Sequence, residues 1–380
     1  MSSRHTPRDR RSARWIAALA VLGLWASAGS EFAAAQTPDL DSLIERASSD
    51  RPAIDGGRGW SLAIDNDLFA PAQNDRDYTG GLGITVSGAQ TADYWWSLDP
   101  LLGVVDHLLL ARAADRSDMR VQHAVQVGLL SFTPQDLGTA EVNFEDRPYA
   151  SLLFVTAARQ HVAPDARSVR YSDLTLGILG LSFTSNLHDA IHKAAGSDTP
   201  RGYGHQISSG GEPTARYAIG GSTLRGQRLS LGSGLLETKT TWELSAGYLT
   251  EASYAVSTRL GAINSPWWTF NPERVDYIAR PSPVAHGRGS GLTELYVWAG
   301  AKLRLRAYNA FLQGQFRDSD HLFAPDEINH VIGEVWFGVT NQFLGGTQMS
   351  YAVRYQTAEI RDGLGRRDPV WAGVTISHSF

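Results

Sequence analysis

Cysteine is absent from all 380 residues. That excludes disulfides, thiol nucleophiles and thiolate metal sites. Beyond the N-terminal segment the chain also lacks any apolar run approaching the roughly 20 residues a spanning helix needs, so it is not a bundle of membrane helices. Charge is sparse, at 19% of residues with a formal net charge of −5, and there is no basic excess of the kind that attracts nucleic acid. Glycine and aromatics are plentiful instead: 38 Gly, 11 Trp and 13 Tyr. Sheets with tight turns and aromatic girdles use this composition.

The N-terminus has the form of an export signal. Arg4, Arg8, Arg10, Arg11 and Arg14 precede an apolar run from Trp15 to Ala28, and Ala33, Ala34 and Ala35 follow as small residues suited to cleavage. The expected organisation is a signal peptide over 1–35, an N-terminal extension over 36–58, and one domain over 59–380. Cleavage would remove five arginines and two acids and leave a more acidic chain.

Within that domain the hydrophobic period is two. Trp242, Leu244, Ala246 and Tyr248 alternate with Thr241, Glu243, Ser245 and Gly247. Leu295, Val297, Ala299, Ala301, Leu303 and Leu305 alternate with residues that include Lys302, Arg304 and Arg306. Successive side chains of a strand point to opposite faces, so one face is apolar and the other small or charged. Segments of about ten such residues are the pattern of a membrane barrel. Phe380 closes the last one, in phase with Val370, Ala372, Val374 and Ile376. Twelve strands are predicted, near 59–67, 78–88, 121–132, 149–161, 168–181, 213–230, 240–249, 252–263, 292–316, 331–343, 347–358 and 370–380. The fold class is therefore a twelve-stranded antiparallel transmembrane β-barrel in a bacterial outer membrane, with a short helix in an extracellular loop. Splitting 292–316 in two would break the even parity such barrels keep.

Parity also sorts the connections. With the first strand starting in the periplasm, 68–77, 133–148, 182–212, 250–251, 317–330 and 359–369 lie at the outer rim. The inserts 89–120, which has a helical apolar pattern, and 264–291 then fall on the periplasmic side, where long connections are unusual. Strict alternation puts Asp67 and Thr79 on the lumen face, predicting a polar site in the upper barrel wall. It puts Asn66 on the lipid face, so a bulge would be needed to turn it inward. In the third outer connection, Ser185 can cap a helix and Gly196 can end it. His188 and His192, four residues apart, then share one helix face, as a metal-binding pair, a general base, or two surface histidines.

Four patches in order resemble the outer-membrane lipid A 3′-O-deacylases. They are Asn66-Asp67; Asp77-Tyr78-Thr79-Gly80-Gly81-Leu82; Asp146-Arg147-Pro148-Tyr149-Ala150; and Leu187-His188-Asp189-Ala190-Ile191-His192, followed by Gly196-Ser197-Asp198 and Gln206. The resemblance implies a barrel enzyme that hydrolyses an ester-linked acyl chain of lipid A and needs Ca²⁺. By the same resemblance His192 is the general base, and the Asn66 amide donates to the oxyanion. Asp67, Thr79 and Asp198 belong to the metal site, and His188 contacts substrate. Two positions depart from the family. His188 stands where an amide side chain is usual, and a substrate-contacting Lys has no match in 131–143. The expected partners are lipopolysaccharide and outer-membrane lipids, with no nucleic acid, and the expected state is a monomer. An outer-membrane phospholipase and a non-enzymatic pore or structural barrel are the alternatives.

Overall fold

The computed structural model describes residues 58–70, 77–110, 119–181, 201–231, 234–284, 293–343 and 346–380. The export signal and nearly all of the extension lie outside them. Twelve strands close into one antiparallel barrel. In chain order these are β1 (Gly59–Asn66), β2 (Asp77–Ser87), β3 (Arg120–Thr133), β4 (Ala150–Val162), β5 (Ser168–Leu179), β6 (Glu212–Leu231), β7 (Gly234–Gly247) and β8 (Leu249–Ala262). The remaining four are β11 (Glu294–Asn309), β12 (Val331–Gln342), β13 (Thr347–Gln356) and β14 (Val370–Ser379). The short strands β9 (Val275–Asp276) and β10 (Ile278–Ala279) pair with each other inside the chain of connections. Strand β1 pairs with both β2 and β14, which removes any free edge.

All twelve predicted strands are present. The long segment 292–316 is a single strand that stops at Asn309, whose side-chain oxygen accepts the Phe311 amide at 3.0 Å. That cap starts the short helix α2 (Ala310–Gln313), ended by Gly314 at φ 64°. Parity is therefore kept. The period-two pattern places Ile84, Leu244, Leu303, Leu305 and Phe337 on the exposed outward face, while Glu243, Arg304 and Arg306 are buried in the lumen.

The expectation that 264–291 hangs in the periplasm is overturned for its described part, 264–284. That stretch folds back into the lumen as a plug. Its charged residues meet the inward face of the wall. Asp276 lies 2.9 Å from Arg216 and 3.2 Å from Arg280, while Arg280 also meets Asp173 at 3.1 Å. Glu273 takes Lys239 at 2.9 Å and hydroxyls from Thr241 and Ser257. Wall side chains hold the plug's backbone as well. Lys302 donates to the Glu273 carbonyl at 2.7 Å, Gln126 to Ala279 at 2.8 Å, and Arg354 to Pro272 at 2.7 Å. The physical reason is pairing. Buried Arg, Lys, Asp and Glu of the wall line the lumen, the plug brings both acids and guanidiniums to meet them, and a buried charge must be paired.

At the plug's tip Tyr277 adopts φ 73°. Its ring packs on Phe132 and Tyr78, with centroids at 4.6 and 5.4 Å. Phe311, Tyr248, Leu152 and Trp371 complete this buried apolar layer. The plug's ion pairs thus lie beneath an aromatic layer, a second aromatic cluster of Phe270, Tyr296, Trp298 and Trp336 sits nearer the periplasmic end, and a cavity of about 170 Å³ remains beside Asp65 and Arg354.

The insert 89–120 also departs from expectation. Its helix α1 (Asp99–Leu110) packs against the outside of the wall, with Leu102 buried among Val125, Ala157 and Leu174.

Candidate active site at the outer end of the barrel wall

The first two patches of the resemblance meet at the outer end of β1 and β2. Strand β1 runs in regular register to Asn66, which faces Gly80 on one side and Ala372 on the other. No bulge turns Asn66 inward. The irregularity lies in β2 instead. The β2–β3 register shifts between Tyr78 and Gly80, leaving Thr79 as the extra residue. A bulge kinks the strand and re-aims a side chain, and here two observations give the direction. Tyr78, opposite Phe132, packs on the lumen plug. The Thr79 hydroxyl meets that of Thr133 at 2.7 Å, and Thr133 shares the outward face of β3 with Ser131. Thr79 therefore leaves the lumen phase that alternation predicted for it and joins Asn66 outside.

The Asp-Tyr-Thr-Gly-Gly motif explains itself in this geometry. Asp77 enters the strand at φ 71°, a left-handed conformation that Asp tolerates better than most residues. A Cβ on Gly80 would lie 2.8 Å from the Asp65 carbonyl oxygen, so only glycine allows the two strands to close there. The Asn66 amide donates to the Thr79 carbonyl at 2.8 Å. Asp67 follows at the start of a 3-10 turn, 2% exposed.

The third patch braces the rim. Asp146 accepts the Gln135 amide at 2.8 Å and the Arg367 guanidinium at 2.6 Å, and Arg367 also bonds Asp77 at 2.8 Å. Burial disfavours the charge on Arg367, but these two carboxylates hold its pKa above the ordinary arginine value. Arg147 lies over Phe132 at 4.6 Å and faces Glu359 at 3.5 Å. Beside this brace the outer connections enclose a cavity of about 430 Å³, lined in part by Glu141, Arg147, Tyr149, His205 and His321.

His188, His192 and Asp198 lie outside the described residues. The chain on either side of 182–200 is tethered to the same wall. The Gly180 amide bonds the Ser151 carbonyl at 2.9 Å. Tyr203 reaches Ser131 with its hydroxyl at 2.8 Å and stacks on Tyr149 at 4.6 Å. Gln206 receives the Ser151 hydroxyl at 3.0 Å. Sequence reasoning missed Thr133, Ser131, Tyr203 and the Arg367 brace. Polar residues on the lipid phase of β3 and β4 near their outer ends were the available signal.

Among the described residues no group of three His, Asp or Glu side chains gathers as a metal site. Of the described residues that the resemblance assigns to the metal, Asp67 offers a carboxylate and Thr79 a hydroxyl, hard oxygen donors of the kind Ca²⁺ prefers.

A family model described as outer membrane protein LpxR matches residues 19–380. Among solved structures, LpxR from Salmonella typhimurium aligns at TM-score 0.63 and 16% identity, covering 85% of this chain and 100% of that one. The β domain of the Bordetella autotransporter BrkA aligns at TM-score 0.41 and 10% identity, covering 86% and 100%. The KdgM porin aligns at TM-score 0.32 and 5% identity, covering 85% and 99%. No curated protein sequence matches the chain significantly.

Proposed function

The chain belongs to the LpxR family of outer-membrane lipid A deacylases, and from that premise we propose that it is a Ca²⁺-dependent esterase, acting as a monomer, that removes the 3′-acyloxyacyl group of lipid A in the outer leaflet. The observation that carries the reading is the outward turn of Thr79. It gathers Asn66, Thr79 and Thr133 on the lipid-facing side of the wall at its outer end. Thr79 and Thr133 are buried there, 4% and 0% exposed, and polar groups on the face a barrel turns to lipid are costly and mark function. A lipid with its headgroup at that level reaches this site from the leaflet, without entering the plugged lumen.

On this reading His192 takes the proton from the attacking water as its oxygen adds to the acyl carbonyl. An imidazole with its pKa near neutrality suits that step. The Asn66 amide donates a hydrogen bond to the oxyanion that forms. When the tetrahedral intermediate collapses, the sugar oxygen leaves and His192 returns the proton to it. Asp67 and Thr79, with Asp198, would hold the Ca²⁺, whose bound charge polarises the carbonyl. The Arg367 brace keeps β2, which bears Asp77 and Thr79, fixed against the outer connections.

Mass spectrometry of lipid A from a host expressing this chain tests the proposal. The expected result is loss of one acyloxyacyl group with the wild type, and an unaltered pattern with His192→Ala. Acyl release from phospholipids that persists in His192→Ala would overturn it in favour of a phospholipase. Steady conductance without acyl release would favour a pore, which the plug and the aromatic layer above it argue against.

A further inference from the structure

A helix on the surface of a water-soluble protein turns its apolar side inward and its charges outward. Helix α1 does the reverse. Its acidic residues Asp99 and Asp106 are buried against the barrel, while Leu101 is 45%, Val104 55% and Leu108 74% exposed. These three recur at helical spacing and form one apolar outer face.

The buried side is bonded to the wall. Asp99 accepts Arg159 at 2.9 Å and faces His123 at 2.8 Å. Asp106 accepts the Ser172 hydroxyl at 2.8 Å and the Tyr217 hydroxyl at 2.7 Å. All four wall residues sit on the outward faces of β3 to β6, opposite in phase to Gln126, Gln160, Asp173 and Arg216, which reach the plug or its partners in the lumen. Gly103 permits the close approach, since a Cβ there would lie 2.8 Å from the Arg159 guanidinium.

The helix also lies within the barrel's apolar belt. Exposed Val121 flanks its contact on the periplasmic side, and exposed Val127 and Leu176 flank it on the outer side. Trp95, 95% exposed, and the stacked pair Tyr94 and Trp96 precede it. Aromatics of this kind collect at membrane–water boundaries.

We infer that α1 and the aromatic turn before it are embedded in the periplasmic leaflet, with phospholipid acyl chains covering Leu101, Val104 and Leu108. The helix face is continuous with the belt, and its polarity is inverted. In hydrocarbon the wall's polar groups need partners, which the helix supplies from its polar side while offering lipid an apolar one.

The absence of native cysteine allows a single-site test on the full chain. Leu108→Cys carries a nitroxide in phosphatidylethanolamine–phosphatidylglycerol vesicles. Phe337→Cys on the belt and Asp326→Cys in an outer connection serve as references. The label at 108 is expected to be more accessible to oxygen than to a water-soluble nickel chelate, as at 337 and opposite to 326. Nickel access matching 326 would place the helix in water and overturn the inference. Spin–spin broadening would do so by showing a second copy on this face. Heat-modifiable migration reports that each labelled barrel is folded. If Leu108→Cys is not, Leu101→Cys on the same face takes its place.

Discussion

The lumen and the outer end of the wall are both polar, but in different ways. Inside, charge is dense and compensated: Arg216 faces Asp173, Glu243 and Asp276, and Arg304 faces Glu251 and Glu334. Outside, near the outer rim, a few hydroxyls and one amide stand on a face that the barrel pattern reserves for apolar residues. Dense charge here is scaffold. A buried ion pair gives little net stability, yet removing one partner is expensive. The sparse polar groups on the outward face tie strands and an outer connection together, and on the proposed reading they also line the site of chemistry.

The division makes a sharp forecast for paired substitutions. Asp276→Ala strips the plug of the carboxylate shared by Arg216 and Arg280. It is expected to cost about 3–5 kcal/mol in denaturant unfolding, with little change in the deacylation rate of the folded fraction. A collapse of activity at intact stability would break the comparison. Asp67→Ala should do the opposite, lowering the rate by about 100-fold or more, or some 2.7 kcal/mol of barrier, at unchanged stability. Chelation should reproduce that loss in the wild type and add nothing to it in Asp67→Ala. Thr79→Val removes only the hydroxyl that meets Thr133. The worth of one hydrogen bond, about 1 kcal/mol, predicts a several-fold slower rate and sharpens how much the bulge contributes.

The smallest effect concerns pH. Burial of Glu359 raises its pKa, but Arg306 and Arg147 more than offset that and leave the carboxyl below its ordinary value. A depressed carboxyl stabilises the fold fully above the unfolded value of about 4.3. That contribution is lost as pH falls through the lower folded value. The expected acid loss is read as a shift in the unfolding midpoint, and Glu359→Gln should flatten it.

The strands were legible because the barrel repeats one simple pattern. Several of the twelve announced themselves through alternation, and the short helix after Asn309 settled the parity of the longest segment. The plug was not legible. Glu273, Arg274, Asp276 and Arg280 look like ordinary loop charges until their partners on Asp173, Lys239 and Arg216 are known. The density of charge of both signs on the inward phase was the clue, since buried charge needs partners within reach. The candidate site was half legible. Asn66, Asp67 and Thr79 were singled out, but alternation assigned Thr79 to the wrong face because it cannot see a bulge. Gly80 and Gly81, adjacent in a strand, were the local hint, as glycine inside a strand often marks one. Helix α1 was anticipated as a helix, though not as one whose acids face the wall.

The outward turn of Thr79 also changes what concentration means for this protein. If the reaction occurs where Asn66 and Thr79 face the leaflet, substrate arrives by lateral diffusion in two dimensions. The governing variable is then the mole fraction of lipid A among its neighbours. Diluting it with inert lipid should slow turnover even when the amount per millilitre is constant, and the released fatty acyl product would remain in the leaflet beside the enzyme.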